Sequence, residues 1–407
     1  MNWLIPENEL DKEQRKFLSE FINRNDNELV VGFPGSGKTM LLYYAALKIR
    51  EQKPGAKILF VEFTHALINM IEAALQQMHI NDIKVVTQYE FEKEGKSKMK
   101  YDCIICDEVQ DLLPKVLENM AKRAERVILG GDPNQQIYER DPKWKEPTCT
   151  EEDIMGLLHP VVTRLNIVHR LSRFVMEAAN DVMPEMKIMQ EGRVSMMKKN
   201  IMIRLWKARN QQQEVSAIMK EAKETLRLTD SVAVLLPSHS KITSFADKAL
   251  LDAGKDCWKW TYDEHGNLDY NNMNDYLEAC DIPLRYVGNG FGNFLSDKPV
   301  ITLMTYHGSK GLDFDKVFLP FCNHIDNDTK QVDNDKKIFL VGLTRSRGDL
   351  IISFSKKLNR FVAKFAEGCT HKDLDSENQP TLFASQDKPA VRTTKVRSCT
   401  MNELFGW

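Results

Sequence analysis

No apolar run in this chain of 407 residues approaches the roughly 18–20 residues that cross a bilayer, so a membrane-spanning protein is not expected. The N-terminus, Met1-Asn2-Trp3-Leu4-Ile5-Pro6-Glu7, lacks the basic start and long apolar core of an export signal. Its 8 cysteines are scattered and make no disulfide framework, which points to a reducing, cytoplasmic compartment. An excess of either charge is missing too: 56 Lys and Arg face 58 Asp and Glu, a formal net charge of −2. Without a molecule-wide positive field, any contact with nucleic acid must come from a local groove. What is present is a hydrophobic fraction of 42% with 28% charged residues, the composition of a soluble globular chain long enough for two domains and a tail.

The most informative stretch is Gly32-Phe33-Pro34-Gly35-Ser36-Gly37-Lys38-Thr39. It follows the apolar run Leu29-Val30-Val31 and precedes the helix-prone run Met40 to Leu47, the strand–loop–helix context that a phosphate-binding GxxxxGK[ST] loop requires. Glycines let backbone N–H groups converge on phosphate oxygens, and the helix start adds its positive end. Lys38 reaches the terminal phosphates, and the Thr39 hydroxyl takes Mg²⁺. Further on, apolar strand patterns at 57–63, 83–87, 101–106 and 126–129 alternate with helical ones. That alternation predicts an α/β fold with a parallel sheet covered on both faces.

The strand at 101–106 ends in Asp107-Glu108-Val109-Gln110-Asp111. Acids at the carboxyl end of such a strand, downstream of a phosphate loop, suit a Mg²⁺-holding Asp107 and a water-activating Glu108. Cys103 and Cys106 spell CxxC, but residues three apart on a strand face opposite ways, so both read as core cysteines. The last strand delivers Gly130-Gly131-Asp132-Pro133-Asn134-Gln135-Gln136-Ile137-Tyr138.

Taken in order, GFPGSGKT, CDEVQD and GGDPNQQIY resemble the UvrD/Rep-type helicases of superfamily 1. Leu165 to Ser172 is similar to that family's motif IV, Val300 to Phe314 to its motif V, and Phe339 to Ser346 to its motif VI. The resemblance implies two RecA-like parallel-sheet lobes closing on ATP and Mg²⁺. It assigns Gln14 to the adenine edge, and Gly35, Ser36, Gly37, Lys38 and Thr39 to the phosphates and metal. Asp107 is assigned to Mg²⁺, Glu108 to the attacking water and Gln135 to the γ-phosphate, with Arg170 and Arg345 as arginine fingers. His169 stands where the family has an adenine-stacking Tyr, and Asp313 where it has a ribose-binding Glu. Phe63, Thr64, Tyr138, Arg140, Thr305 and His307 fall in strand-binding segments, where an aromatic can stack on a base; Phe63 taken alone reads as a core aromatic.

Departures bear on function. After Tyr138 the family supplies a Trp wedge, whereas Glu139 and Arg140 follow here, with Trp144 nearby. The family's first inserted subdomain has no room between Thr64 and Asp107, and its larger second one is reduced. The expected division is a first lobe over 1–160, a second over 161–367 with a small insertion near 254–299, and a flexible tail over 368–407. Aromatics in that insertion, Trp258, Trp260, Tyr262, Tyr270 and Tyr276, read as a small local core ahead of a binding surface. In the tail, Gln379, Leu382 and Phe383 spell QxxLF and resemble a sliding-clamp docking peptide. The expected activity is an ATP-dependent helicase or translocase on single-stranded nucleic acid, DNA ahead of RNA. The alternative is a nucleic-acid-responsive ATPase switch serving a partner protein in a larger assembly.

Overall fold

The computed structural model of the chain describes residues 5–63, 65–77, 80, 82–93, 99–132, 136, 140–141, 143–195, 200–228, 231–262, 266–294, 298–324 and 332–376. Strands Glu28–Gly32 (β1), Ile58–Glu62 (β2), Lys84–Thr87 (β3), Tyr101–Cys106 (β4), Ala124–Gly131 (β5) and Val161–Leu165 (β6) form one sheet in the order β3-β2-β4-β5-β1-β6. Every pairing in it is parallel. Strand alternation sends Val30, Phe60, Cys103 and Ile128 into the core on one face, and Leu29, Leu59, Cys106 and Leu129 into the core on the other. Cys103 and Cys106 are therefore on opposite faces, and burial pushes the Cys103 thiol up to about 12.

After a short ribbon of Ile167–Val168 (β7) and Arg193–Val194 (β8), a second parallel sheet contains Arg204–Lys207 (β9), Val232–Leu236 (β10), Leu284–Tyr286 (β11), Ile301–Thr305 (β12), Phe314–Leu319 (β13), Ser346–Phe354 (β14) and Thr370–Asp373 (β15). Its order is β11-β12-β10-β13-β14-β9-β15. Ala233, Leu235 and Met304 pack on one face, and Val232, Val234 and Leu303 on the other. Phe33 from the phosphate loop joins the first of these cores, so the lobes share apolar contact beside the loop. Among the described residues no helix is long and apolar enough to cross a membrane.

The structure corrects three boundaries. Val161–Leu165, expected to open the second lobe, pairs with β1 as the edge strand of the first sheet, so the division falls after Leu165. Residues 254–299 are no separate insertion: Tyr270–Ala279 is a helix, β11 is an edge strand of the second sheet, and Trp258, Tyr270 and Tyr286 lie in that lobe's core. Trp260 and Tyr262 are exposed. The tail does not begin at Gly368, because β15 hydrogen-bonds in parallel to β9. Edge strands are hard to read in sequence, since half of each faces solvent and only one neighbour constrains it. Gln379, Leu382 and Phe383, like Thr64, Gln135 and Tyr138, lie outside the described residues.

Candidate nucleotide site between the lobes

The loop after β1 curls before the helix Lys38–Gln52, which Gly37 caps with φ 89°. Gly35 has φ 76°, and both values belong to the left-handed region that favours glycine. A Cβ on Gly35 would stand 2.4 Å from Cβ of Arg170, and one on Gly37 would stand 2.5 Å from Nε2 of Gln14. Lys38 Nζ donates to the carbonyls of Gly32 at 2.7 Å and Phe33 at 3.3 Å, which folds the ammonium over the loop. Ser36 Oγ is buried with no hydrogen-bond partner among the described residues, and Thr39 Oγ1 donates to Asp107 Oδ2. A curled glycine backbone, an ammonium, an orphaned hydroxyl and a hydroxyl–carboxylate pair form a donor set suited to phosphate oxygens and a divalent cation. The residues present fit Mg²⁺-ATP.

Two acids follow β4. Burial raises the Asp107 carboxyl and Glu108 adds to the rise, against Lys38 and the Thr39 hydroxyl. Its backbone N–H donates to Glu62 Oε1 at 3.3 Å; Glu62 is fully enclosed, and burial pushes its pKa well above the carboxylate range. Glu108 has φ 54° and ψ 43°, a left-handed conformation that turns its side chain away from the strand direction. Burial works against its ionisation, but Lys310 first, then Lys38, Gln110 and Arg345, outweigh burial and hold its pKa below the usual range. Gln110 Nε2 donates to Glu108 Oε2 at 2.6 Å. A buried carboxylate kept ionised by surrounding donors is equipped to accept a proton from water.

The second lobe closes over the loop. The backbone N–H groups of His169 and Arg170 donate to the Gly35 carbonyl at 2.9 and 3.3 Å. The Arg170 side chain lies along Gly35, its Nε buried and without a partner among the described residues, while Nη1 donates to Asp313 Oδ2 at 3.3 Å. Asp313 also faces Arg347 Nη1 at 3.6 Å, so two guanidinium groups occupy the carboxylate expected at the ribose. Arg345 is buried. Its guanidinium donates to the carbonyls of Val341 at 2.8 Å and Leu312 at 3.1 Å and to the Thr344 hydroxyl at 3.1 Å. Burial and the neighbouring Arg170 lower its pKa, against Glu108, Asp313 and Asp132.

The two residues expected at the base act as braces. Gln14 is buried, donates from Nε2 to the Ser36 carbonyl at 3.1 Å, and accepts from Asp11 N–H at 3.0 Å. His169 Nε2 lies 2.5 Å from Asp11 Oδ2. Asp11 caps the helix Lys12–Phe21, which ties that helix start to the phosphate loop and to the second lobe.

Sequence reasoning gave no role to Lys310 or Asp111. Lys310 Nζ donates to Asp111 Oδ2 at 2.6 Å and stands 3.6 Å from Glu108 Oε2, with all three side chains buried. Burial disfavours the ammonium, but Asp111 and Glu108 outweigh it and raise its pKa. The available signal was a lysine beside two glycines, paired with a second acid beyond the first pair; neither names its partner. Lys310→Met should destabilise the protein by about 3–5 kcal/mol, because Asp111 would be left buried and uncompensated. Thermal or denaturant unfolding should show much of that loss recovered in Lys310→Met/Asp111→Leu. An unchanged transition in the single variant would count against the bridge.

The expected strand contacts fare unevenly. Phe63 is buried, not presented, and Thr305 is buried with its hydroxyl accepting from Gly308 N–H at 3.0 Å. Phe63 directly follows β2 and Thr305 is the last residue of β12, and both side chains are buried there, so neither offers an open stacking or bonding face. His307 is half-buried, with its pKa lowered by burial, then by His239 and Lys310; Arg140 is exposed.

The sequence profile of an AAA domain matches residues 14–141, and that of the UvrD-like helicase C-terminal domain matches residues 266–357. DNA helicase II of Rickettsia typhi (strain ATCC VR-144 / Wilmington) is 28% identical over 142 residues, 32% of this chain and 19% of that relative. The chain thus matches less than a fifth of that relative's length. Among solved structures, one of two coordinating Pif1 helicases at forked double-stranded DNA aligns with 84% of this chain and 92% of its own, at 13% identity and a TM-score of 0.43. The arterivirus nonstructural protein 10 helicase with DNA covers 86% of this chain and 65% of its own, at 14% identity and a TM-score of 0.41.

Proposed function

The chain belongs to the UvrD/Rep-type family of superfamily 1 helicases, and from that premise we propose that it is an ATP-driven translocase on single-stranded nucleic acid, DNA ahead of RNA. The observation that carries this reading is the placement of Arg170: a second-lobe guanidinium lies along Gly35 of the first lobe with its Nε unpaired among the described residues. Such a site is complete only when both lobes meet, so nucleotide occupancy and lobe closure are linked.

In this reading Gly35, Ser36, Gly37 and Lys38 hold the phosphates, and Thr39 and Asp107 hold Mg²⁺. The ion, when bound, draws charge off the phosphate oxygens. Glu108 takes the proton of the attacking water. Arg170 and Arg345 face the charge that develops on the transferred group, with Gln135 as a further γ-phosphate contact. Lys310 holds Glu108 ionised. His307 and Arg140 contribute to the strand contact.

ATP hydrolysis should rise when single-stranded DNA or RNA is added, and the rise should fade with salt as backbone contacts require. A rate indifferent to both polymers at low salt would favour the alternative, an ATPase switch acting through a partner. The burial of Phe63 and Thr305 is the observation on that side. Docking of Gln379, Leu382 and Phe383 on a sliding clamp is part of the proposal and suits a motor with little room for duplex-engaging insertions.

A further inference from the structure

We infer that the site between the lobes takes nucleoside triphosphates without reading base or sugar, so that GTP, CTP, UTP and deoxy-ATP serve it about as well as ATP. The inference rests on the ATP-driven reading above and widens the substrate of that same site. Its ground is a division among the polar groups there, between those the protein satisfies internally and those it leaves for a ligand.

At the base end the two expected readers are engaged by the protein itself. Gln14 is buried and uses both ends of its amide: Nε2 donates to the Ser36 carbonyl at 3.1 Å, and Oε1 accepts from Asp11 N–H at 3.0 Å. His169 Nε2 lies against Asp11 Oδ2, while Asp11 Oδ1 accepts from the N–H groups of Glu13 at 2.6 Å and Gln14 at 2.9 Å. Glu13 adds a further tie, because its Oε2 accepts from the N–H groups of Asn166 at 2.7 Å and Ile167 at 3.3 Å. The start of the helix Lys12–Phe21 is thus fastened to the phosphate loop on one side and to the second lobe on the other. The half-buried His169 ring can still offer a face, but stacking accepts any base.

The sugar end is engaged in the same way. Asp313 Oδ2 accepts from Arg170 Nη1 at 3.3 Å, and Oδ1 faces Arg347 Nη1 at 3.6 Å. Arg347 is anchored: its Nη2 stands 3.0 Å from Asp315 Oδ1 and donates to Ser231 Oγ at 3.2 Å. Ser231 N–H donates in turn to Asp315 Oδ2 at 3.1 Å, and Asp315 N–H donates to Ser231 Oγ at 3.0 Å. If Arg170 turns from Asp313 to a γ-phosphate, Arg347 therefore still holds the carboxylate. Asp313 is a bracket between two arginines, with Arg347 as a positioning residue for the finger.

The groups left for a ligand lie at the phosphate end. Among the described residues Ser36 Oγ and Arg170 Nε are buried without a partner, and both stand at the phosphate loop. Lys38 Nζ is held by the Gly32 and Phe33 carbonyls, neutral acceptors that a charged phosphate oxygen displaces. Selectivity by hydrogen bonding arises when the wrong substrate leaves buried polar groups unpaired. A different base or sugar leaves neither Gln14 nor Asp313 unpaired, because the protein pairs both. Recognition falls to the triphosphate.

The test compares the Mg²⁺ complexes of ATP, GTP, CTP, UTP and dideoxy-ATP as substrates of the full chain, and measures by calorimetry the binding of the non-hydrolysable imido analogues of ATP and GTP. Values of kcat/KM should agree within about tenfold, and so should the two Kd values. Gln14→Ala should lower kcat/KM for ATP and GTP by a common factor, and Asp313→Asn should change ATP and dideoxy-ATP alike. A preference of the parent for ATP by more than about tenfold, in hydrolysis or in binding, would overturn the inference and leave the ATP-driven reading intact. A Gln14→Ala loss confined to ATP, or an Asp313→Asn loss confined to the nucleotide with sugar hydroxyls, would overturn it too. Hydrolysis of none of the five would overturn the ATP-driven reading, and this inference with it.

Discussion

Arg170→Ala should lower ATP turnover by ~10³–10⁵-fold, the range an arginine finger commands. The reason is geometric. Arg170 belongs to the second lobe, yet its stem touches Gly35 so closely that a single added carbon there would collide with it at 2.4 Å. Its Nε has no partner among the described residues, and Nη1 is held at 3.3 Å by Asp313, a contact that the stronger charge of a γ-phosphate can displace. Arg170→Lys should recover only part of the loss, since an ammonium keeps the charge and loses the planar fork. Steady-state hydrolysis with saturating nucleic acid measures the effect, and a separate nucleotide-binding titration should change far less. A loss below about tenfold would remove Arg170 from the fingers and leave that role to Arg345.

Glu108→Gln should reduce turnover by ~10²–10⁴-fold while Mg²⁺-ATP binding persists. The substitution keeps shape and an oxygen that can still accept from Gln110, and it removes only the proton-accepting carboxylate. Thr39 and Asp107, the groups suited to the metal, are untouched. Lys310 remains paired to Asp111, so the contact between lobes is preserved and the loss should be confined to the chemical step. Hydrolysis at the parental rate would mean that another group activates the water. Glu62 would be a poor substitute, since burial favours its protonated form.

Where a feature depends on neighbours in sequence, it was legible in advance. A phosphate loop needs glycines, a lysine and a hydroxyl within one strand–loop–helix unit, and β1 and the helix Lys38–Gln52 bracket that unit as expected. The acids after β4 announce themselves because an apolar strand ends on them, and opposite placement of Cys103 and Cys106 follows from the two-residue period of a strand. Family resemblance extended this to the second lobe, because its motifs are also short and contiguous.

What the sequence determined by itself was therefore the inventory: alternating helices and strands, a loop suited to phosphates, and the acids after β4, to which the family resemblance added the arginines of the proposed nucleotide site. Tertiary structure alone decided the company those residues keep. Lys310 meets Asp111 across 199 positions of chain, His169 meets Asp11 across 158, and Gln88 meets Asp141 across 53, and no local pattern carries such pairings. Edge placement was decided there too, for β6 beside β1 and β15 beside β9, because parallel partners are chosen by the packing of the whole sheet. The physical reason is common to all of these. Propensity, periodicity and loop chemistry act over a few residues, whereas a buried charge or a sheet edge takes its partner from whichever segment the folded chain brings within bonding distance.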